Sequence, residues 1–326
     1  MFSALEKGVK LNYKELAQQF RELLDSHRKV TIISHIRPDG DTIGSATALF
    51  NSLKLMGHQV ELVCRDSDLP LKLNFLDGFK RYKKKIDYSD SLVVTLDCAD
   101  ISRAGFDLQD RSIVNIDHHK SNTNFGVLNI VEVEVSTTAV LYKLLKEGFA
   151  IDKQVAQSLY AGLLTDSINF TTSLVNSKTF ELASQLLDYG LDASYVSQMI
   201  NKRDSLSHTR LIAIAIDSLE LFANGKIAVM VVKNCDLKAT GAKGSDLNGI
   251  IDFAIALVTV EVAVLIVEFD NILKVSIRSK NEDISVIATK FDGGGHKNAG
   301  GFEVKSGKIY ELKSKILEQI KDNINE

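Results

Sequence analysis

His35, Asp39 and Asp41 lie within one short stretch, HIRPDGD. Asp97 and Asp100 bracket DCAD, and Asp117, His118 and His119 are consecutive. Imidazole and carboxylate are donors for Mn²⁺, Fe²⁺, Co²⁺ or Zn²⁺, and carboxylate excess without cysteine ligation favours Mn²⁺ over a structural Zn²⁺. Cys98, beside Asp97, reads as a small buried residue. So many carboxylates cannot converge without cations, because like charges in one pocket repel and raise each other's pKa. Two or three imidazoles with at least four carboxylates are too many donors for one ion. They fit two ions that share a carboxylate, and two metals about 3.5–4 Å apart suit displacement at phosphorus.

Each cluster directly follows a short apolar run that reads as a strand: VTIIS before the first, SLVVTL before the second, RSIVNI before the third. QVELVC is a further strand. Helical periodicity covers ELAQQFRELLDSH, TIGSATALFNSLKLMG with Gly57 as its stop, STTAVLYKLLKEG and DKQVAQSLYAGLLTD. Strands alternating with helices predict an α/β domain with a mostly parallel sheet flanked by helices. Ligands of such sheets bind at the carboxyl ends of the strands, so neighbouring strands would bring all three clusters to one edge. Gly40, between two acids, eases a sharp backbone path. Asp166 closes a helix at the end where the dipole disfavours an acid, which makes it a further ligand candidate. A lone Asp after a strand is ordinarily a helix N-cap, so the inference rests on the joint pattern.

The texture changes near Gly190. The following stretch, to about Glu220, is nearly all helical. KIAVMVVK, VEVAVLIVEF and ILKVSIRS then read as strands, with a helix near DLNGIIDFAIAL and an amphipathic helix at IYELKSKILEQIKDNI. The expected organisation is a metal-binding domain over 1–190, a helical linker over 191–218, and a smaller α/β domain of mixed sheet over 219–326. In DGGGHKNAGGF, Gly293, Gly294 and Gly295 leave backbone N–H groups uncovered, which could make an anion-binding nest beside His296. Arg278, in KVSIRSK, could clamp a phosphate bidentately. The basic run KRYKKK, from Lys80 to Lys85, reads as a solvated surface loop.

The chain has 326 residues, enough for two domains with their own cores, and its 45% apolar and 25% charged residues are ordinary for a soluble protein. A net charge of −3 gives no argument for duplex nucleic acid. The longest apolar run, IALVTVEVAVLIVEF, contains Glu261 and is too short and β-branched for a membrane span. No apolar leader is evident, and three scattered cysteines fit a reducing cytoplasm.

The ordered motifs HIRPDGD, DCAD, DHH and TDS, with GGGHKNAGGF, resemble the DHH phosphoesterase family and its associated C-terminal domain over nearly the whole chain. The compact length is similar to the nanoRNase and pAp-phosphatase branch, also called bifunctional oligoribonuclease. The resemblance implies two Mn²⁺ ions, one held by His35, Asp39 and Asp97, the other by Asp41, Asp97, His118 and Asp166, with Asp97 bridging. His119 would lie near the scissile phosphate and Asp117 would orient its neighbours. Arg278, Gly293, Gly294, Gly295 and His296 would hold the substrate's phosphate or terminal nucleotide. The implied activity is hydrolysis of very short single-stranded RNA to mononucleotides, with dephosphorylation of pAp, in a cleft between two domains of a cytoplasmic protein that could form a homodimer. Action on linear or cyclic dinucleotides such as pGpG, or a nucleotide-binding module without turnover, are the rival readings. TDSINF departs from the family in lacking a glycine soon after the acid, which bears on the local loop and not on Asp166.

Overall fold

The computed structural model describes residues 11–324 apart from 67 and 306, without the side chains of 296 and 322–324. The chain divides into two compact units, Met1–Arg203 and Asp204–Glu326.

In the first unit, β1 (Lys29–Ser34), β2 (Gln59–Val63), β3 (Tyr82–Lys83), β4 (Leu92–Leu96), β5 (Ile113–Asp117) and β6 (Leu128–Val131) form one sheet in the order β3-β2-β1-β4-β5-β6. Every pairing is parallel. β1, β4 and β5 are therefore neighbours, and the strand order reverses between β1 and β4. That reversal opens a crevice at the carboxyl ends, where open α/β sheets take their ligands. The expected convergence of the three clusters is what this topology produces.

The helices of this unit are α1 (Tyr13–Ser26), α2 (Gly40–Leu55), α3 (Thr137–Leu145), α4 (Lys153–Asp166), α5 (Ser177–Leu187) and α6 (Ala193–Asn201). α2 is buried from Gly40 to Leu53, so it is a core helix and not an amphipathic cover. Two of its polar side chains bond to backbone carbonyls: Thr47 Oγ1 donates to Ile43 O at 2.8 Å, and Asn51 Nδ2 to Asp77 O at 3.1 Å. α2 packs closely on α4 because α2 places glycines where the two helices meet. A Cβ on Gly44 would stand 2.7 Å from Ser158 O and 2.9 Å from Gly162 N. A Cβ on Gly40 would stand 2.3 Å from Thr165 Oγ1. This corrects the role expected of Gly40. It is the first residue of a regular helix, and its small size serves helix contact, not a sharp turn.

Two strands escaped the sequence reading here. β6 is only four residues long, and β3 is a two-residue strand inside KRYKKK, where a surface loop was expected. Strands that short carry no readable period.

The second unit contains α7 (Leu206–Asp217), β7 (Glu220–Phe222), β8 (Ile227–Val232), α8 (Asn234–Thr240), α9 (Ile250–Ile255), β9 (Val262–Phe269), β10 (Ile272–Ser279), α10 (Ser285–Lys290), β11 (Gly294–His296), β12 (Ala299–Lys305) and α11 (Ile309–Ile324). Its sheet runs β11-β12-β10-β9-β8-β7 and is mixed: β8 and β9 are parallel, the other pairs antiparallel. The segment expected as one helical run is broken between Asn201 and Leu206. α6 packs on α4 in the first unit, and α7 packs on β8 in the second. The helix expected over DLNGIIDFAIAL shortens to α9, because Gly249 takes a left-handed φ of 80° just before it.

Candidate metal centre

The three turns at the carboxyl ends of β1, β4 and β5, together with the last residue of α4, bring His35, Asp39, Asp41, Asp97, His118, His119 and Asp166 together. Three sets of ligand atoms lie within 4.8 Å of one another: His35 with Asp39 and Asp97; Asp41 with His118 and Asp166; Asp97 with His118 and His119. Asp97 stands between the first two sets. Its Oδ2 is 3.3 Å from His35 Nε2, and its Oδ1 is 3.5 Å from His118 Nε2.

The backbone builds this arrangement locally. Asp97 leaves β4 with φ 61°, a left-handed conformation that a short polar residue tolerates and most residues avoid. Asp39 is the N-cap of α2, its Oδ1 accepting from the N–H groups of Asp41 and Thr42, both at 3.1 Å. Asp39 is thus a cap as well as a candidate ligand, with its second oxygen uncommitted to the cap. Asp41 is buried and accepts from Thr137 N at 2.6 Å and Thr138 N at 3.1 Å, at the start of α3. Thr137 Oγ1 also donates to Asp97 at 2.9 Å. Asp166 is carried to the site by the close α2–α4 crossing. Asp100, by contrast, is only half-buried and serves as the cap of a single 3-10 turn, accepting from Ser102 N at 2.9 Å.

Second partners fix the imidazoles. His118 Nδ1 lies 2.9 Å from Glu134 O, and His35 Nδ1 lies 2.8 Å from Ile36 O. A carbonyl can only accept, so each Nδ1 carries a proton and each Nε2 faces the carboxylates. Arg103 Nη2 also approaches His35 Nδ1, at 3.1 Å, but an Nδ1 that donates to Ile36 O cannot accept from Arg103. His119 differs: its Nδ1 is 2.8 Å from Asp117 Oδ1, whose other oxygen accepts from Asn122 Nδ2 at 2.6 Å. Asn122 is held by Asn115 Oδ1 at 2.7 Å and Cys98 O at 3.1 Å. This buried amide network and the two threonines were missed in the sequence. The only signal was polar residues in otherwise apolar strand and helix starts.

The electrostatics are those of a cation site. Burial, then the charges of Asp97 and Asp166, hold Asp41 well above the usual carboxylate range. Burial also pushes Asp166 up, to about 6, against the pull of His118. Burial alone would lower His35 and His118, but the surrounding carboxylates win and push them up to about 10 and about 9. With Asp41 and Asp166 resisting the loss of their protons, and His35 and His118 the loss of theirs, this part of the cluster is short of positive charge. Divalent cations meet that demand, and the donor set of imidazole nitrogens and carboxylate oxygens fits them.

The segment after Asp166 is unusual. Ile168, Asn169 and Phe170 all have positive φ, of 47°, 55° and 64°. A β-branched residue there is strained, and a glycine would relieve it. The expected peculiarity of TDSINF is thus a left-handed turn made without glycine.

The other expected residues lie in the second unit. Arg278 is on β10, opposite Ala299 of β12 and Ala263 of β9, and lines a cavity of about 100 Å³ with Lys274, Ser276 and Asn248. The glycine run is folded, not open. Gly294 and Gly295 belong to β11 and pair with Gly301 and Gly300. A Cβ on Gly293 would meet Gly301 O at 2.3 Å, and one on Gly295 would meet Ala299 O at 2.2 Å. Close strand approach therefore accounts for these two glycines. β11 is the sheet edge, so one side of its backbone has no partner strand among the described residues. The His296 side chain lies outside the described residues.

Residues 29–163 match the model of the DHH family's N-terminal domain, and residues 224–325 match the DHHA1 domain. This chain belongs to the DHH family. The bifunctional oligoribonuclease and PAP phosphatase NrnA of Thermus thermophilus is 28% identical, covering 90% of this chain and 90% of that protein. The cyclic-di-AMP phosphodiesterase PdeA of Listeria monocytogenes is 25% identical, covering 97% of this chain and 51% of that protein. Among solved structures, an exopolyphosphatase-related protein from Bacteroides fragilis superposes with a TM-score of 0.87 at 23% identity, covering 96% and 98% of the two chains. That likeness concerns the fold. In this DHH chain the DHH match ends at 163, three residues short of Asp166, so the last candidate ligand rests on geometry.

Proposed function

We propose that this chain is a manganese-dependent phosphoesterase that hydrolyses very short single-stranded RNA to mononucleotides and removes the 3′-phosphate of pAp. Phosphoester hydrolysis follows from the family. The choice of substrate is supported by the NrnA relative, which matches over most of both chains. The observation that carries the metal chemistry is Asp97, buried between two donor sets and within 3.3–3.5 Å of an imidazole in each. His35, Asp39 and Asp97 would hold one ion; Asp41, Asp97, His118 and Asp166 would hold the other. When bound, the pair supplies Lewis acidity that activates a water and neutralises the phosphoryl oxygens.

The chain's own residues do the rest. Asp117 accepts a hydrogen bond from His119 Nδ1 and favours the protonated ring, because that hydrogen bond raises the pKa of His119. The Nε2–H of His119 is then a donor for the phosphate under attack. Water adds to phosphorus, the P–O bond to the departing nucleotide breaks, and the departing oxygen takes a proton. Thr137 holds Asp41 and Asp97 so that neither rotates as charge builds. Arg278, with Gly293, Gly294, Gly295 and His296, would hold a phosphate or terminal nucleotide. Such a hold favours short substrates by fixing one terminus. The protein would work in the cytoplasm; among the described residues no helix is long and apolar enough to cross a membrane.

A second reading, cleavage of linear or cyclic dinucleotides, is supported by the PdeA relative, which matches along 97% of this chain. Initial rates on pAp, 5′-phosphorylated RNA dimers to decamers, pGpG and cyclic dinucleotides decide between them. Dimers and pAp leading the panel supports the first reading, and cyclic dinucleotides leading it overturns it.

A further inference from the structure

The opposite end of α2 from the candidate metal centre carries a second cluster of charge. A cavity of about 370 Å³ is lined there by Phe50, Lys54, His58, Gln59, Val60, Glu61, Leu62, Arg81, Lys83 and Tyr88. α2 rises about 1.5 Å per residue, so its 16 residues separate this cavity from Asp39 and Asp41 by roughly 20 Å. Four of the lining side chains are basic and one is acidic.

The acid is fully engaged. Glu61 is buried and accepts from Thr31 Oγ1 at 2.9 Å, Tyr88 N at 3.1 Å, Asp87 N at 3.2 Å and Lys83 Nζ at 3.2 Å. Lys83 is engaged too, reaching Asp87 at 2.6 Å. Those bonds fix the floor and the Tyr88 wall. The remaining bases are different. Arg81 and His58 make no side-chain hydrogen bond or ion pair among the described residues, and Lys54 touches only the Phe50 ring, at 5.3 Å. They converge where β3 pairs only Leu62 and Val63, so the outer edge of β2 from Gln59 to Glu61 has no partner strand among the described residues. An exposed sheet edge offers main-chain donors, and its bases offer charge.

We propose that this cavity is a second anion site, for a small ligand bearing a diphosphate or an equivalent doubly charged phosphoryl group. The volume suits a small molecule. A planar guanidinium with free donors binds phosphate bidentately, and Lys54 adds a point charge. The run KRYKKK, which supplies Arg81 and Lys83, is then one wall of a site and not a featureless basic loop. The site is independent of the metal centre, since no lining residue belongs to that cluster.

The test uses the full metal-loaded chain and follows acetylation of Lys54 by a limiting amine reagent, resolved by peptide mass spectrometry. ADP should slow modification of Lys54 at least tenfold, while adenosine should leave it unchanged. Inorganic pyrophosphate should protect as well, which assigns recognition to the phosphoryl groups; protection by ADP and not by pyrophosphate supports the site with added contacts to the nucleoside. Protection should persist in Asp97→Ala and disappear in Arg81→Gln. Arg81 is exposed, so that variant should fold, and His58→Gln gives an independent partial loss. Equal modification of Lys54 with and without both anions overturns the proposal. So does protection that vanishes in Asp97→Ala and survives in Arg81→Gln.

Discussion

The two sheets handle charge in opposite ways. At the carboxyl edge of the first, Asp41, Asp97 and Asp117 are buried, and His35 is only 3% exposed. Several of these groups have displaced protonation equilibria. In the second sheet Arg278 is half-buried on a strand, with hydrogen bonding to its own neighbour's carbonyl, Ile277 O, at 3.2 Å. Burying unpaired like charge is expensive, and a fold retains it only where something else supplies the opposite charge. A solvated arginine carries no such debt. On the proposed reading the first region captures cations and works on a bond, while the second presents donors, so that its loss should weaken holding and not the bond-breaking step.

Removing the shared carboxylate should break that contrast most forcefully. Asp97→Ala leaves both donor sets incomplete and Thr137 Oγ1 without its acceptor. We expect kcat to fall by at least about 10³-fold, on the scale of lost electrostatic stabilisation. Metal content by mass spectrometry should fall with it. Two metals and near-normal turnover in the variant would remove Asp97 from the centre. Chelation should likewise abolish turnover, with Mn²⁺ the best restorer; full rate in a metal-free preparation contradicts the reading altogether.

Arg278→Ala probes the other side of the comparison. Loss of a charged hydrogen bond to phosphate costs about 1.5–3 kcal/mol, or roughly 10- to 150-fold in kcat/KM. The loss should appear in KM, with metal content unchanged. It should be large on RNA dimers and pAp, and small on an aryl phosphodiester with no second group to hold. Equal impairment on both substrates would make Arg278 part of the chemistry.

Gly44→Ala sharpens the comparison from within the first unit. The new methyl would press on the backbone of α4 at Ser158 and Gly162, which cannot rotate away. Overpacking of this kind costs about 1–3 kcal/mol. Since α4 carries Asp166, metal affinity should fall together with thermal stability. Unchanged stability and full metal content would show that the helices have room to part.

Much of this was legible in advance because three chemistries coincided with a period. Short β-branched runs ending in His and Asp define parallel strands, and the strand order then dictates convergence. The neighbours that hold the ligands were not legible. Thr137, Asn115 and Asn122 are ordinary polar residues whose importance depends on which loop packs beside them. Gly44 and Gly162 are single glycines in helical patterns; only the crossing of α2 with α4 reveals why Gly44 is small, and only the approach of Thr138 in α3 reveals why Gly162 is. The glycine run was legible as special but not as a hairpin, since glycine lacks the side chains from which a strand period is read.

The smallest expected effect concerns protons. In the metal-free chain His35 and His118 are raised to about 10 and about 9. Unfolded, each returns to about 6.5. The folded chain therefore holds more protons than the unfolded chain between those values, and stability must fall as pH rises through that window. The contribution is complete below about 6.5 and gone above about 10. The slope is at most about 1.4 kcal/mol per pH unit for each proton of difference. Asp166, raised to about 6, acts the same way at lower pH, stabilising the metal-free fold below its usual range and ceasing to do so as pH rises through about 6. Bound cations require unprotonated Nε2 atoms, so loading should expel these protons and metal affinity should rise with pH. Thermal unfolding in chelator should drop by several degrees between pH 7 and 9, while the manganese-loaded chain changes less. A metal-free midpoint that is flat or rises across that interval would mean that His35 and His118 are already neutral, and that the cluster does not need cations to balance its charge.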